Sequence, residues 1–210
     1  MKRATGRRAL FRRAALSVVV LSLAATPPLA TAAAAERTPP AGWSAGPEDD
    51  AVMEVGQRFD CRGADCPPDL SCLYALAPPR PPGSWPIDIP FMLDETRMPW
   101  QDVEGWLIEK AKTLRPQLAT DPLVTSGRSV RKSAPHTVTL TGADYVLRQY
   151  RLPSKAGSFD LDAYLWSVKG RLRIAFCIAP TGQPSVRAAS RPVEELLGYL
   201  RRDEDTSTDN

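Results

Sequence analysis

The most constraining feature of the chain is a pair of apolar segments, Phe159 to Val168 and Arg171 to Ile178, separated by Lys169-Gly170. Two residues ending in glycine suit the tightest hairpin loop, and such a loop fixes the register of the flanking strands. If Val168 faces Arg171, then Leu165 faces Ile174, Ala163 faces Phe176 and Leu161 faces Ile178. Side chains alternate along a strand, so these pairs, with Leu172, share one face. The other face carries Trp166 opposite Arg173, a candidate cation–π contact, with Tyr164 opposite Ala175 and Asp162 opposite Cys177. That second face is mixed, and it requires at least partial cover.

Two further strands are predicted upstream, Thr137 to Thr141 and Tyr145 to Leu152. From Pro99 to Arg115, Trp100, Val103, Leu107, Ala111 and Leu114 recur at three- and four-residue steps and form the stripe of an amphipathic helix. Near Pro192 to Arg201, Val193, Leu196, Leu197 and Leu200 repeat the pattern, with Glu194 and Glu195 at the start and Arg201 and Arg202 at the end, as the helix dipole favours. The predicted fold is therefore α+β: an antiparallel sheet packed by two amphipathic helices on the Leu165/Ile174 face, with a disulfide-stapled N-terminal segment covering part of the other face. The hairpin YLWSVKGRLRIAFCIAP, a loop and the closing helix PVEELLGYLRR resemble the PsbP/Mog1-type α/β/α sandwich, over residues 99–202. The cysteine segment is foreign to that pattern. What the resemblance implies is a non-enzymatic accessory or binding protein.

Four cysteines occur, Cys61, Cys66 and Cys72 close together and Cys177 alone in the last strand. An even count in an exported chain reads as two disulfides, with three formal pairings. Cys177 points away from the Leu172/Ile174/Phe176 face, so the expectation is one local bridge within the cluster and one staple to Cys177, from Cys72. The spacings C-x4-C and C-x5-C differ from those of zinc knuckles, and neither C-x-x-C nor C-x-x-C-H occurs.

Export is inferred from the N-terminus. Lys2, Arg3, Arg7, Arg8, Arg12 and Arg13 precede the apolar run Ala14 to Ala25 and small residues from Thr31 to Ala35, the layout of a signal peptide over residues 1–35. Cleavage is expected after Ala35, with Ala32 as the alternative. Arg7-Arg8-Ala9-Leu10-Phe11 resembles the twin-arginine export signature, and ordinary unfolded export stays open beside it. The apolar run is shorter than the ~20 residues of a membrane span, and no cysteine stands at the cleavage site, so no stable membrane anchor is expected. All six ionisable side chains of the signal are basic, which leaves 21 basic against 24 acidic groups in the mature chain. The whole-chain pI of 8.7 therefore gives no support to nucleic-acid binding. With Asn210 the only asparagine there is no glycosylation sequon, and the composition points to a bacterial protein that is periplasmic or extracellular.

Residues 36–55 read as a disordered or extended segment, 56–98 as a Cys- and Pro-rich segment that includes a stiff connector with Trp85 tucked down, and 203–210 as a disordered acidic tail. His136 is the only histidine, which excludes mechanisms that need two imidazoles in one subunit. No G-x-S-x-G elbow joins Ser133, His136 and Asp144, and no phosphate loop, dinucleotide fingerprint or metal cluster is present. Asp160 and Asp162 read as solvated charge. The functional expectation is an exported non-enzymatic accessory or binding module with no cofactor or metal, whose partner, a protein or small molecule, meets a face made of Tyr164, Trp166 and Arg173. The alternative is a small exported hydrolase using His136 or a carboxylate.

Overall fold

A computed structural model describes residues 38–47, 52–81, 83–84, 86–125, 130–155, 157–182 and 190–206. The predicted signal peptide, Trp85 and residues 207–210 lie outside the described residues. Strands β7 (Phe159–Val168) and β8 (Arg171–Pro180) form the predicted hairpin, with Val168 opposite Arg171 and every downstream pair in the expected register. Lys169 and Gly170 both have positive φ, 51° and 75°, so the turn has the twist that matches the strands on either side. The hairpin of β5 (His136–Leu140) and β6 (Ala143–Leu152) closes the same way through Thr141 and Gly142, at φ 53° and 76°. A β-branched residue is costly in this region, by roughly 1–2 kcal/mol.

These strands belong to an eight-stranded sheet that also contains β1 (Trp43–Pro47), β2 (Val55–Cys61), β3 (Ser71–Leu76) and the short β4 (Arg131–Lys132). The order is β1-β2-β3-β8-β7-β6-β4, with β5 also paired to β6, and every pairing is antiparallel. The helices are α1 (Ile89–Leu93), α2 (Trp100–Leu114), α3 (Pro122–Thr125) and α4 (Arg191–Thr206), with a 3-10 turn at Pro116–Leu118.

Two findings correct the predicted layering. The N-terminal cysteine segment does not lie over the sheet; it supplies β2 and β3, and β3 pairs directly with β8. The two long helices also take opposite faces. The α2 stripe of Trp100, Val103, Leu107, Ala111 and Leu114 packs on Leu165, Ile174 and Phe176, as expected. Val193, Leu196, Leu197 and Leu200 of α4 instead pack on Tyr164, Trp166, Tyr145 and Phe59. The physical reason is area: this face carries several large aromatics, and at about 25 cal/mol per Å2 leaving them wet would forfeit several kcal/mol. The helix runs on to Thr206, into the segment read as a disordered tail, and Trp43–Pro47 of the N-terminal segment is an ordered edge strand.

The disulfides follow the expected pairing. Cys72 and Cys177 are directly opposite in β3 and β8, with Cα atoms 4.0 Å apart, and Cys61 and Cys66 close the loop after β2. That loop packs against the approach to β1, where a Cβ on Gly63 would lie 3.0 Å from the Gly42 backbone, so both positions need glycine. Trp43 then donates from Nε1 to the Pro192 carbonyl at 3.3 Å, tying the first strand to the start of α4.

Asp121, just before α3, anchors the β6–β7 connection. Its carboxylate accepts from the Lys155 backbone N–H at 2.7 Å, the Leu123 N–H at 2.9 Å and the Ser154 hydroxyl at 2.9 Å. The Lys155 amide above all holds its pKa below the ordinary 3.8. A carboxyl depressed on folding contributes stability that is complete above the unfolded value and is lost as pH falls through the folded one. Urea midpoints of the wild type are therefore expected to fall more steeply between pH 5 and pH 2 than those of Asp121→Asn, on the order of the usual carboxylate range. Parallel curves would show that the carboxylate contributes nothing specific.

Candidate functional site

The predicted face of Tyr164, Trp166 and Arg173 is not a surface. Tyr164 and Trp166 are each 1% exposed, because α4 covers them. Trp166 stacks on Tyr74 at 5.9 Å, and Tyr145 meets both Tyr164 and Trp166 edge-on at 6.4 and 5.4 Å. Burial pushes the Tyr164 hydroxyl well above the ordinary tyrosine range. Arg173 sits opposite Trp166, as the register required, and donates through Nη1 to the Tyr74 hydroxyl. These three residues therefore build an aromatic core and its edge.

His136 begins β5, is exposed, and places Nδ1 3.2 Å from the Ala134 carbonyl oxygen. Asp144 accepts from the Thr139 hydroxyl at 2.6 Å and pairs with Thr139, three residues farther along the strand, roughly 10 Å from His136 by strand rise. Ser133 spends its hydroxyl on the Gln149 N–H at 3.0 Å. The fold does not assemble a triad from them.

Asp160 and Asp162 are not solvated either; they are 7% and 2% exposed. Asp160 accepts from Arg151 Nε at 2.8 Å, and Asp162 accepts from Gln149 Nε2 at 3.0 Å. They line a polar hollow of about 510 Å3 with Lys132, Ser133 and Tyr150. On the reverse face Arg148, 1% exposed, pairs with Glu95 at 2.9 Å and Glu104 at 3.1 Å while its guanidinium lies 4.7 Å from the Trp100 ring. It joins α2 to the sheet. A buried arginine needs such partners, since an unpaired charge there would cost several kcal/mol.

A cavity of about 1110 Å3 lies at the end of the sheet. It is a slot between the two positive-φ turns, Thr141-Gly142 and Lys169-Gly170, with the start of α1 on one side and the last turns of α4 on the other. Its apolar lining comes from Ile87, Ile89 and Val168, partly exposed, with Met92 and Trp166 buried beside them. Its charged lining is Lys169, Arg201, Arg202, Asp88 and Asp144. The fixed turns set the walls: Gly198 of α4 lies against Thr141, where a Cβ would be 3.4 Å from the threonine methyl. Arg201 is held by donation to the Asp144 carbonyl at 3.2 Å and by the Tyr145 ring at 5.3 Å. Asp88 and Asp144, the two acids of the slot, each accept from a neutral donor, Asp88 from the Phe91 N–H at 2.8 Å and Asp144 from the Thr139 hydroxyl at 2.6 Å, and keep their negative charge.

Sequence reasoning missed this slot. Arg201 and Arg202 read as cations at a helix terminus and Lys169 as a turn residue. The signal that could have found it is the recurrence of two residue-glycine turns, which must lie side by side when β6 pairs with β7.

No family model matches the chain, and no curated protein matches it. Among solved structures, a protein of unknown function from Pseudomonas aeruginosa, described as a candidate regulator, aligns over 84% of this chain and 85% of that one at 9% identity with a TM-score of 0.27. A likeness of that size carries no argument about fold or function.

Proposed function

We propose that the chain is an exported, non-enzymatic accessory or binding module of bacterial origin, released by cleavage near Ala35 into the periplasm or medium, which takes its ligand in the slot between the two turns. The observation that carries the reading is the slot itself: about 1110 Å3, lined by Ile87, Ile89 and Val168 together with Lys169, Arg201 and Arg202, between two hairpin turns and two helices. Small-molecule sites likewise combine apolar side chains with placed polar groups. Two disulfides support an oxidising compartment, and no helix among the described residues is long and apolar enough to cross a membrane. The PsbP/Mog1-type resemblance points the same way, towards accessory and binding proteins.

The test is a thermal-shift panel of neutral, anionic and cationic small molecules on the oxidised mature chain and on Val168→Trp, which fills the slot. The expected result is at least one class that raises Tm in the wild type and not in the variant. A panel with no such difference would remove the basis for the slot as a binding site.

The hydrolase reading keeps one observation in its favour, the burial of Asp160 and Asp162 in a hollow. Scored for ester and amide turnover, the same panel tests it: activity lost in Asp162→Asn, with the fold intact, would replace the binding reading.

A further inference from the structure

Resting on the binding reading above, we infer that the slot selects a small anionic amphiphile, an apolar chain or ring system ending in a carboxylate or phosphate. Five ionisable side chains line the slot: Lys169, Arg201, Arg202, Asp88 and Asp144. Both carboxylates accept hydrogen bonds within the protein, from the Phe91 N–H and the Thr139 hydroxyl. Arg201 is engaged by the Asp144 carbonyl and the Tyr145 ring. Lys169 and Arg202 are exposed and have no ion-pair partner among the described residues. Three cations against two carboxylates leave the slot a net formal charge of +1, with Lys169 on the β7–β8 turn and Arg202 on α4.

Beside these cations the slot offers apolar side chains from Ile87, Ile89 and Val168. An anion with no apolar part would leave the apolar side chains wet, and an apolar molecule with no charge would leave the net positive charge unanswered. An amphiphile satisfies both, burying hydrocarbon against Ile87, Ile89 and Val168 while its anionic head meets the cations. The volume, about 1110 Å3, slightly exceeds the roughly 300–1,000 Å3 of small-molecule sites, which favours an extended chain over a compact polar metabolite.

The experiment is isothermal titration of the full mature chain, both disulfides intact, with laurate, decyl phosphate, dodecylammonium and a poly-glutamate peptide. Substitutions are Lys169→Asn with Arg202→Gln, chosen because asparagine tolerates the left-handed turn, and Val168→Trp. The expected result is that laurate or decyl phosphate binds, about tenfold or more weaker in the double substitution and undetectably in Val168→Trp, while dodecylammonium does not bind. Preference for laurate over decyl phosphate, or the reverse, assigns the head group. Equal binding of the cationic and anionic amphiphiles, unchanged affinity in the double substitution, or binding of poly-glutamate alone would overturn the inference. If neutral or cationic compounds of the earlier panel respond to Val168→Trp while laurate and decyl phosphate do not bind, the ligand class fails and the binding module stands. If nothing responds to Val168→Trp, both fail.

Discussion

Replacing Cys72 and Cys177 together by alanine is expected to lower the unfolding free energy of the oxidised domain by about 4–5 kcal/mol, whereas replacing Cys61 and Cys66 costs about 2 kcal/mol. The contrast comes from the length of chain each bridge closes, 105 residues against 5 in sequence separation. A cross-link restricts the unfolded chain by an amount that grows with the logarithm of the loop, so the long staple removes far more freedom from the denatured state. Both bridges also differ in where they lie. Cys72 and Cys177 are each 1% exposed and join the two central strands, while the Cys61–Cys66 loop is near the sheet edge. Guanidinium unfolding of the two double variants beside the wild type reads the difference directly. Equal losses would mean that loop length does not govern their contribution.

Trp166→Ala should cost about 3–5 kcal/mol, the range for removing a fully buried aromatic. Its ring contacts Tyr74 face to face and Tyr145 edge to face, and α4 closes over it, so truncation leaves a cavity that three rigid neighbours cannot fill. A tryptophan displayed for a partner would instead cost within about 0.5 kcal/mol in the isolated domain. Trp166→Phe, which keeps a ring against Tyr74, should lose less. Chemical denaturation at neutral pH with intact disulfides separates these outcomes, and a variant as stable as wild type would contradict the burial described above.

The contrast between these two sites shows what a single sequence can disclose. The β7–β8 register was legible because a two-residue turn leaves one arrangement that puts Leu161, Ala163 and Leu165 with Ile174, Phe176 and Ile178. Cys177 followed from it, and so did the staple. Strand β3 was not legible. Its six residues are all buried, so SCLYAL shows no alternation, and a strand flanked on both sides reads as a bare apolar run. Its neighbouring cysteines and prolines suggested a loop. The side taken by α4 was hidden for a related reason: the hairpin sorts residues into two faces but does not say which helix meets which face. Asp160 and Asp162 looked solvated because their partners, Arg151 and Gln149, are in another strand and enter only through the β6–β7 register. The slot was invisible in the same way, since it is made by turns and helix ends far apart in sequence.

The insertion of β3 between β2 and β8 carries a consequence for the order of events in biogenesis. A chain threaded through a membrane channel from its N-terminus presents Cys61 and then Cys66, which can be joined at once, and next Cys72, whose partner is still 105 residues behind. That thiol has to travel alone until the closing hairpin arrives. For a chain exported already folded the timing is reversed. The sheet would be shut before it met an oxidant, with both sulfurs sealed beneath α4 and only 1% of either residue reachable. For a chain that meets its oxidant only after crossing a membrane, the central staple forms most readily after β8 is made and before α4 covers both sulfurs.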